Sequence, residues 1–134
     1  MSLFVDTGAF LAYRNIKDRY HNIASQLFID ALHGKYGQMY TSDYIYDESL
    51  TLALARTNSI AVAMDIAEVI QSPRIKMVFA DGGLLKKSTK TFKQYYARKL
   101  SFTDAVSIEI INELKIENYF GFDGHFNGIV QKIC

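Results

Sequence analysis

The chain has one cysteine, one proline and no tryptophan in 134 residues. A lone Cys134 cannot form an internal disulfide, so packing must hold the fold, and a reducing compartment is expected. Pro73 follows Gln71-Ser72 and reads as the end of a helix rather than a linker. A dominant charge sign is also missing: 15 Lys and Arg face 14 Asp and Glu, a formal net charge of +1. That excludes a global positive field, so any nucleic-acid binding must use a local patch. No apolar run approaches the ~20 residues that span a bilayer. The first residues lack the basic stretch of a signal peptide. Repeats and low-complexity tracts are absent. A soluble, cytoplasmic protein with no membrane partner is expected.

The composition is 49% hydrophobic and 22% charged, which is globular rather than disordered. The length suits one domain, residues 1–134, with a full core. Ser2 to Val5 reads as a short apolar strand. Asp18 to Leu32 repeats its apolar residues at helical spacing, and Gly34 stops it. Gln38 to Thr41 reads as a strand, and Ser42 caps a helix to about Arg56. Ser59 caps the next helix, and Ile75 to Phe79 is a strand. A long polar helix is expected over Leu84 to Lys99, and another over Thr103 to Leu114. Tyr119 to Phe122 and Gly128 to Ile133 read as strand-like pieces. This alternation predicts an α/β fold, a three-layer doubly wound and mostly parallel sheet flanked by helices. Ligands in such sheets bind at the carboxyl ends of the strands.

Four acids stand where apolar or structured surroundings normally exclude charge. Asp6 ends the run Leu3-Phe4-Val5, and Asp123 follows Tyr119-Phe120-Gly121-Phe122. Glu48 shares a helical stripe with Ile45, Leu52 and Ala55, whereas Asp47 falls on a wetter stripe with Asp43 and Thr51. Asp104 shares a stripe with Ile108 and Ile111. Each acid alone has a plain structural use. Asp104 suits the dipole of a helix start, and Asp123-Gly124 is a common turn pair. Together, four converging carboxylates are costly unless paired or bound to a cation. A shared divalent cation and phosphodiester chemistry are the simplest account.

Motifs along nearly the whole chain resemble those of PIN-domain nucleases, including the VapC-like toxins of toxin–antitoxin pairs. The resemblance rests on four segments in order. They are Phe4-Val5-Asp6-Thr7, Thr41-Ser42-Asp43-Tyr44-Ile45 with Asp47-Glu48, Leu100-Ser101-Phe102-Thr103-Asp104-Ala105, and Gly121-Phe122-Asp123 with Phe126. It implies a Mg²⁺- or Mn²⁺-dependent ribonuclease, a homodimer and a small antitoxin partner. The family's acidic positions fall on Asp6, Glu48, Asp104 and Asp123. Asp6, Asp104 and Asp123 would hold the metal, with Thr7 and Thr103 in support. Gly8, Gly121 and His125 depart from the family pattern, which often has Asn or Ser, Thr, and a second acid at those places. The reading of His125 is a polar surface residue.

RNA binding would need cations beyond the acids. Lys86, Lys90 and Lys93 share a helix face, Arg98 adds charge nearby, and Tyr95 and Tyr96 offer stacking faces. An ordinary solvated helix explains the same pattern. Two other functions stay open. One is a non-catalytic PIN-like module that binds RNA or protein. The other is an aspartic protease of retroviral type, which the Asp6-Thr7-Gly8 loop also resembles, though that fold is nearly all β.

Overall fold

The computed structural model describes residues 1–134. Four strands, β1 (Ser2–Val5), β2 (Gln38–Ser42), β3 (Ile75–Val78) and β4 (Asn118–Phe120), form one parallel sheet in the order β3-β2-β1-β4. Six helices join them: α1 (Thr7–Arg14), α2 (His21–Leu32), α3 (Asp43–Thr57), α4 (Ile60–Ile70), α5 (Gly82–Gln94) and α6 (Phe102–Leu114). The chain steps from β1 to β3 in one direction and then returns to β4 beside β1. With right-handed crossovers, the first helices cover one face and α5 and α6 the other. This is the doubly wound α/β arrangement that the sequence predicts, and it removes the all-β protease alternative. The winding reverses between β1 and β4, so their carboxyl ends flank the crevice where ligands bind in such folds.

Packing explains the composition of the sheet. β1 is central and covered on both faces, so Leu3, Phe4 and Val5 are all fully buried and do not alternate. An aromatic cluster bonds the helices to the sheet. Phe28 of α2 stacks on Tyr13 of α1 at 4.3 Å and lies 5.0 Å from Phe120 of β4. The side chain of Thr41 donates to the carbonyl of Val5 at 3.0 Å, and the amide of Asp6 donates to Phe120 at 3.0 Å. The end of β1 is thereby pinned from both neighbouring strands.

Capping residues set the helix starts. Ser42 accepts from the Ile45 amide at 3.2 Å, Ser59 from Val62 at 3.3 Å and Asp81 from Leu84 at 2.8 Å. Asn58 ends α3 in the left-handed conformation at φ 52°, which lets α4 fold back against it.

Four expectations need correction. Helix α1 is absent from the sequence reading, because it is only 8 residues long and opens on Thr7-Gly8. Helix α2 starts at His21 rather than Asp18, since the Asp18 carboxylate accepts from the Tyr20 amide at 2.8 Å and closes a turn instead. The expected helix over 84–99 stops at Gln94. Tyr96–Arg98 form a single tighter turn, and Lys99 at φ 57° redirects the chain into α6. Gly128 to Ile133 is mostly turn, with one parallel bridge from Lys132 to Tyr119.

Phe28 links α1, α2 and β4, so Phe28→Ala should cost about 3–5 kcal/mol through lost burial and the cavity left behind. Urea unfolding should show the lower midpoint.

Candidate active site

A cleft of about 550 Å³ opens at the carboxyl ends of the strands. Asp6, Glu48, Asp104 and Asp123 all line it. Four separate elements deliver them. Asp6 is the residue between β1 and α1, and Glu48 lies on the second turn of α3. Asp104 is in the first turn of α6, and Asp123 follows β4 by three residues. Glu48 is half-buried and Asp47 exposed, as their stripes predict. The buried stripe of α3 is Ile45, Ser49 and Ala53, however, and Ala55 is exposed. Glu48 thus sits at the edge of the buried face, where a side chain reaches the cleft.

Three of the acids share one design, in which an internal donor occupies one oxygen and leaves the other free. Asp6 Oδ2 accepts from the Tyr119 hydroxyl at 2.5 Å, while its Oδ1 is buried with no hydrogen-bond partner. Asp104 Oδ2 accepts from the Ser101 amide at 3.1 Å, and Ser101 Oγ accepts from the Asp104 amide at 3.0 Å. This reciprocal capping box fixes the start of α6 and the carboxylate together. Asp123 Oδ1 accepts from the His125 amide at 2.8 Å and lies 3.2 Å from the His125 ring Nδ1. The Thr7 hydroxyl is also buried without a partner and lines the same cleft.

Burial and mutual repulsion raise two of these carboxyls. Asp6 is pushed up to about 7, chiefly by loss of water, against the lowering effect of the Tyr119 hydroxyl, with the Asp104 charge adding to the rise. Asp104 is pushed up to about 6, again chiefly by burial, with the charges of Asp123 and Glu48 adding. The Tyr119 hydroxyl is driven far up by burial and by the Asp6 charge, so it stays a donor. An unpartnered buried carboxylate oxygen among like charges is a cation-shaped deficit, so the donor set fits a hard divalent ion with oxygen ligands.

The three departures from the family pattern have separate explanations. A Cβ on Gly8 would meet only the Phe122 amide at 3.8 Å, so space does not demand glycine there. At Gly121 a Cβ would overlap the hydroxyl and ring of Tyr119, so the phenol that reaches Asp6 requires glycine at 121. His125 is exposed, as expected, yet it is not idle. Its ring nitrogen joins Asp104 and Asp123 in a group whose ligand atoms lie within 4.8 Å of one another.

The remaining expected residues lie elsewhere. Thr103 is half-buried and does not line the cleft. Lys86, Lys90 and Lys93 are exposed on α5, away from the cleft lining. Arg98 is committed to structure: its guanidinium donates to the carbonyls of His125 at 3.1 Å and Asn127 at 2.7 Å, holding the loop that carries Asp123. Sequence reasoning missed other lining residues. Arg56 follows Glu48 and Leu52 at four-residue steps, a signal that was available. Asp18, Arg19 and Tyr20 come from a turn with no periodic signature. Tyr20 stacks on Phe122 at 4.4 Å, and the Arg19 guanidinium covers the Tyr20 ring at 4.6 Å. Tyr119 reaches Asp6 across 113 positions, a pairing that only the fold reveals.

The four-stranded parallel sheet flanked by six helices matches the fold of PIN-domain VapC structures. In sequence the chain is similar to VapC proteins. It is 27% identical over 128 residues to a VapC ribonuclease of Archaeoglobus fulgidus, covering 95% of this chain and 80% of that protein. It is similar to the crystal structure of Mycobacterium tuberculosis VapC20, described as a sarcin-ricin loop cleaving toxin. There the TM-score is 0.82 and the identity 25%, over 92% of each chain. Rickettsia felis VapBC2, solved bound to a DNA fragment from its promoter, shares the fold at a TM-score of 0.67 and 11% identity, over 98% of this chain and 97% of that one. No protein-family model matches the chain.

Two predictions follow from the buried carboxyls. In the unfolded chain both ionise near pH 4, whereas the fold holds their protons to about 7 for Asp6 and about 6 for Asp104. Their contribution to stability is therefore full below about pH 4 and is lost as the pH rises through 6 and 7. In EDTA, thermal melts should show this loss, and Asp6→Asn should melt higher than wild type at pH 8; an unchanged melt would contradict the burial argument. Tyr119→Phe, which strands the Asp6 oxygen, should destabilise the protein by about 1–3 kcal/mol in urea unfolding.

Proposed function

We propose that this protein is a divalent-metal-dependent ribonuclease, the toxin of a pair whose other member is a small antitoxin. The observation that carries the metal reading is the buried, unpartnered Oδ1 of Asp6 in a cleft with three further carboxylates. Similarity to a VapC ribonuclease and to VapC20 supports RNA as substrate and a toxin role. Similarity to the VapBC2 assembly supports an antitoxin partner. The reading includes a single domain over residues 1–134 and a homodimer. No helix is long and apolar enough to cross a membrane.

Asp6, Asp104 and Asp123 would hold Mg²⁺ or Mn²⁺ through their free oxygens. One free oxygen per carboxylate suits an ion that keeps several waters. Such an ion lowers the pKa of bound water and offsets phosphate charge when present. The rest of the work belongs to the chain. Tyr119 and Ser101 lock the orientation of Asp6 and Asp104, which keeps their free oxygens aimed at the cleft. Glu48, on rigid α3, joins the metal-holding set or orients the attacking water. Thr7 offers an unused hydroxyl beside Asp6, and Thr103, next to Asp104 in the first turn of α6, is the second supporting hydroxyl of this reading. The raised pKa values make these acids reluctant anions without a counter-charge, so metal and proton compete for the same oxygens.

Calorimetric titration of Mn²⁺ into wild type and Asp104→Asn, with RNA cleavage assayed for wild type and Asp6→Asn, tests the proposal. Affinity should fall by at least the roughly 10–100-fold that even supporting residues contribute. Cleavage should be present in wild type and lost in Asp6→Asn. Equal Mn²⁺ affinity would remove Asp104 from the site. Metal-independent cleavage, or cleavage by both proteins, would reject the mechanism, and cleavage by neither would favour the binding module.

A further inference from the structure

The acidic cleft alone repels RNA, so its substrate must be held by cations close by. The exposed lysines of α5 do not border it. A second recess of about 450 Å³ does adjoin it, and Arg56 lines both. The end of α1, the turn after it and the end of α3 form its walls through Arg14, Asn15, Lys17, Arg56, Thr57 and Ser59. Three cations line this recess and no acid does.

Basic residues at helix ends complement the helix dipole, which accounts in part for Arg14 and Arg56. It does not account for Lys17 and Arg19, which lie in the turn between α1 and α2. Lys17, Arg19 and Arg56 make no ion pair, whereas Arg14 pairs with Asp65 at 3.3 Å. The Arg14 Nε is nonetheless buried without a hydrogen-bond partner. Unpaired cations are retained here although acids crowd the neighbouring cleft.

We infer that this second recess is the RNA-backbone subsite, with Arg56 and Lys17 contacting phosphates next to the scissile one. The inference rests on the ribonuclease reading and adds where the flanking strand lies. A strand crossing both recesses puts one phosphate against the four carboxylates and its neighbour against Arg56. The Arg19 guanidinium lies 4.6 Å from the centre of the Tyr20 ring and donates to its hydroxyl at 2.6 Å, which places a fixed cation and an aromatic ring beside the path of an adjacent base. An acidic peptide would meet the same cations, but it carries nothing that uses the carboxylate cleft next door, so RNA is the occupant that matches both halves.

Fluorescence anisotropy with a labelled single-stranded RNA, in EDTA over a NaCl series, tests this. The proteins are wild type, the double variant Lys17→Gln/Arg56→Gln, and the triple variant Lys86→Gln/Lys90→Gln/Lys93→Gln. The double variant should bind about tenfold more weakly, and its log K against log salt slope should fall by about 1.4, or 0.7 per lost phosphate contact. Its Mn²⁺ affinity and melting temperature should match wild type, which separates a lost contact from a lost fold. Should it unfold, the single variants Lys17→Gln and Arg56→Gln carry the test, each with about half the change in slope. Wild-type RNA binding with unchanged affinity and slope in the double variant overturns this inference and leaves the ribonuclease reading standing. A loss seen only in the triple variant also overturns it and moves the RNA to α5. No RNA binding by wild type overturns both.

Discussion

The burial of one carboxylate organises this molecule. Asp6 ends the most enclosed strand of the sheet, and its side chain enters a space already walled by Tyr119 and approached by Asp104. Moving a carboxylate out of water is expensive, and only one of its two oxygens is compensated from within. The surrounding structure therefore has to be rigid enough to hold an unfavourable group in place. Strand pairing on both sides of β1, the Thr41 and Asp6 main-chain bonds and the aromatic cluster around Phe28 supply that rigidity. The cost is concentrated where a cation can repay it.

The same economy recurs at the other acids. Asp104 is at once the cap partner of Ser101 and a member of the cleft, so the start of α6 cannot move without moving a carboxylate. Asp123 caps the turn that bears His125, and Arg98 clamps that turn from outside. Asp104 and Asp123 are each tied to the local backbone by one oxygen and present the other to the cleft. Local folding rules and the site's electrostatics therefore act on the same atoms. This explains how Asp104 and Asp123, from distant segments, can be aligned without a scaffold of their own.

Much of this was legible in the sequence, for identifiable reasons. The strand Leu3-Phe4-Val5 followed by Asp6 marks a buried strand with a polar end, and the stripe argument separated Glu48 from Asp47. Capping serines marked the starts of α3 and α4. Short or irregular segments were not legible. Helix α1 has too few turns to show a period, Asp18 spends its side chain on a turn, and the helix expected through Lys99 is broken by a left-handed residue with no glycine to announce it. The partner of Asp6 was invisible because Tyr119 reads as one apolar strand residue among several. Likewise, the surface lysines of α5 gave a stronger periodic signal than Arg19 and Lys17, which sit in a turn beside the cleft.

Tyr119 and Gly121 occupy one volume between them. While the phenol stands there, position 121 has no room for even a methyl group, and a side chain at 121 would evict the phenol from Asp6. Neither residue can drift singly. A lineage that passes from this arrangement to one with a hydroxyl-bearing residue at 121 must change both positions, crossing an intermediate in which Asp6 has lost its donor. The two positions should therefore vary together among close relatives, and that paired signature would separate chains built like this one from those that support the first aspartate from position 121.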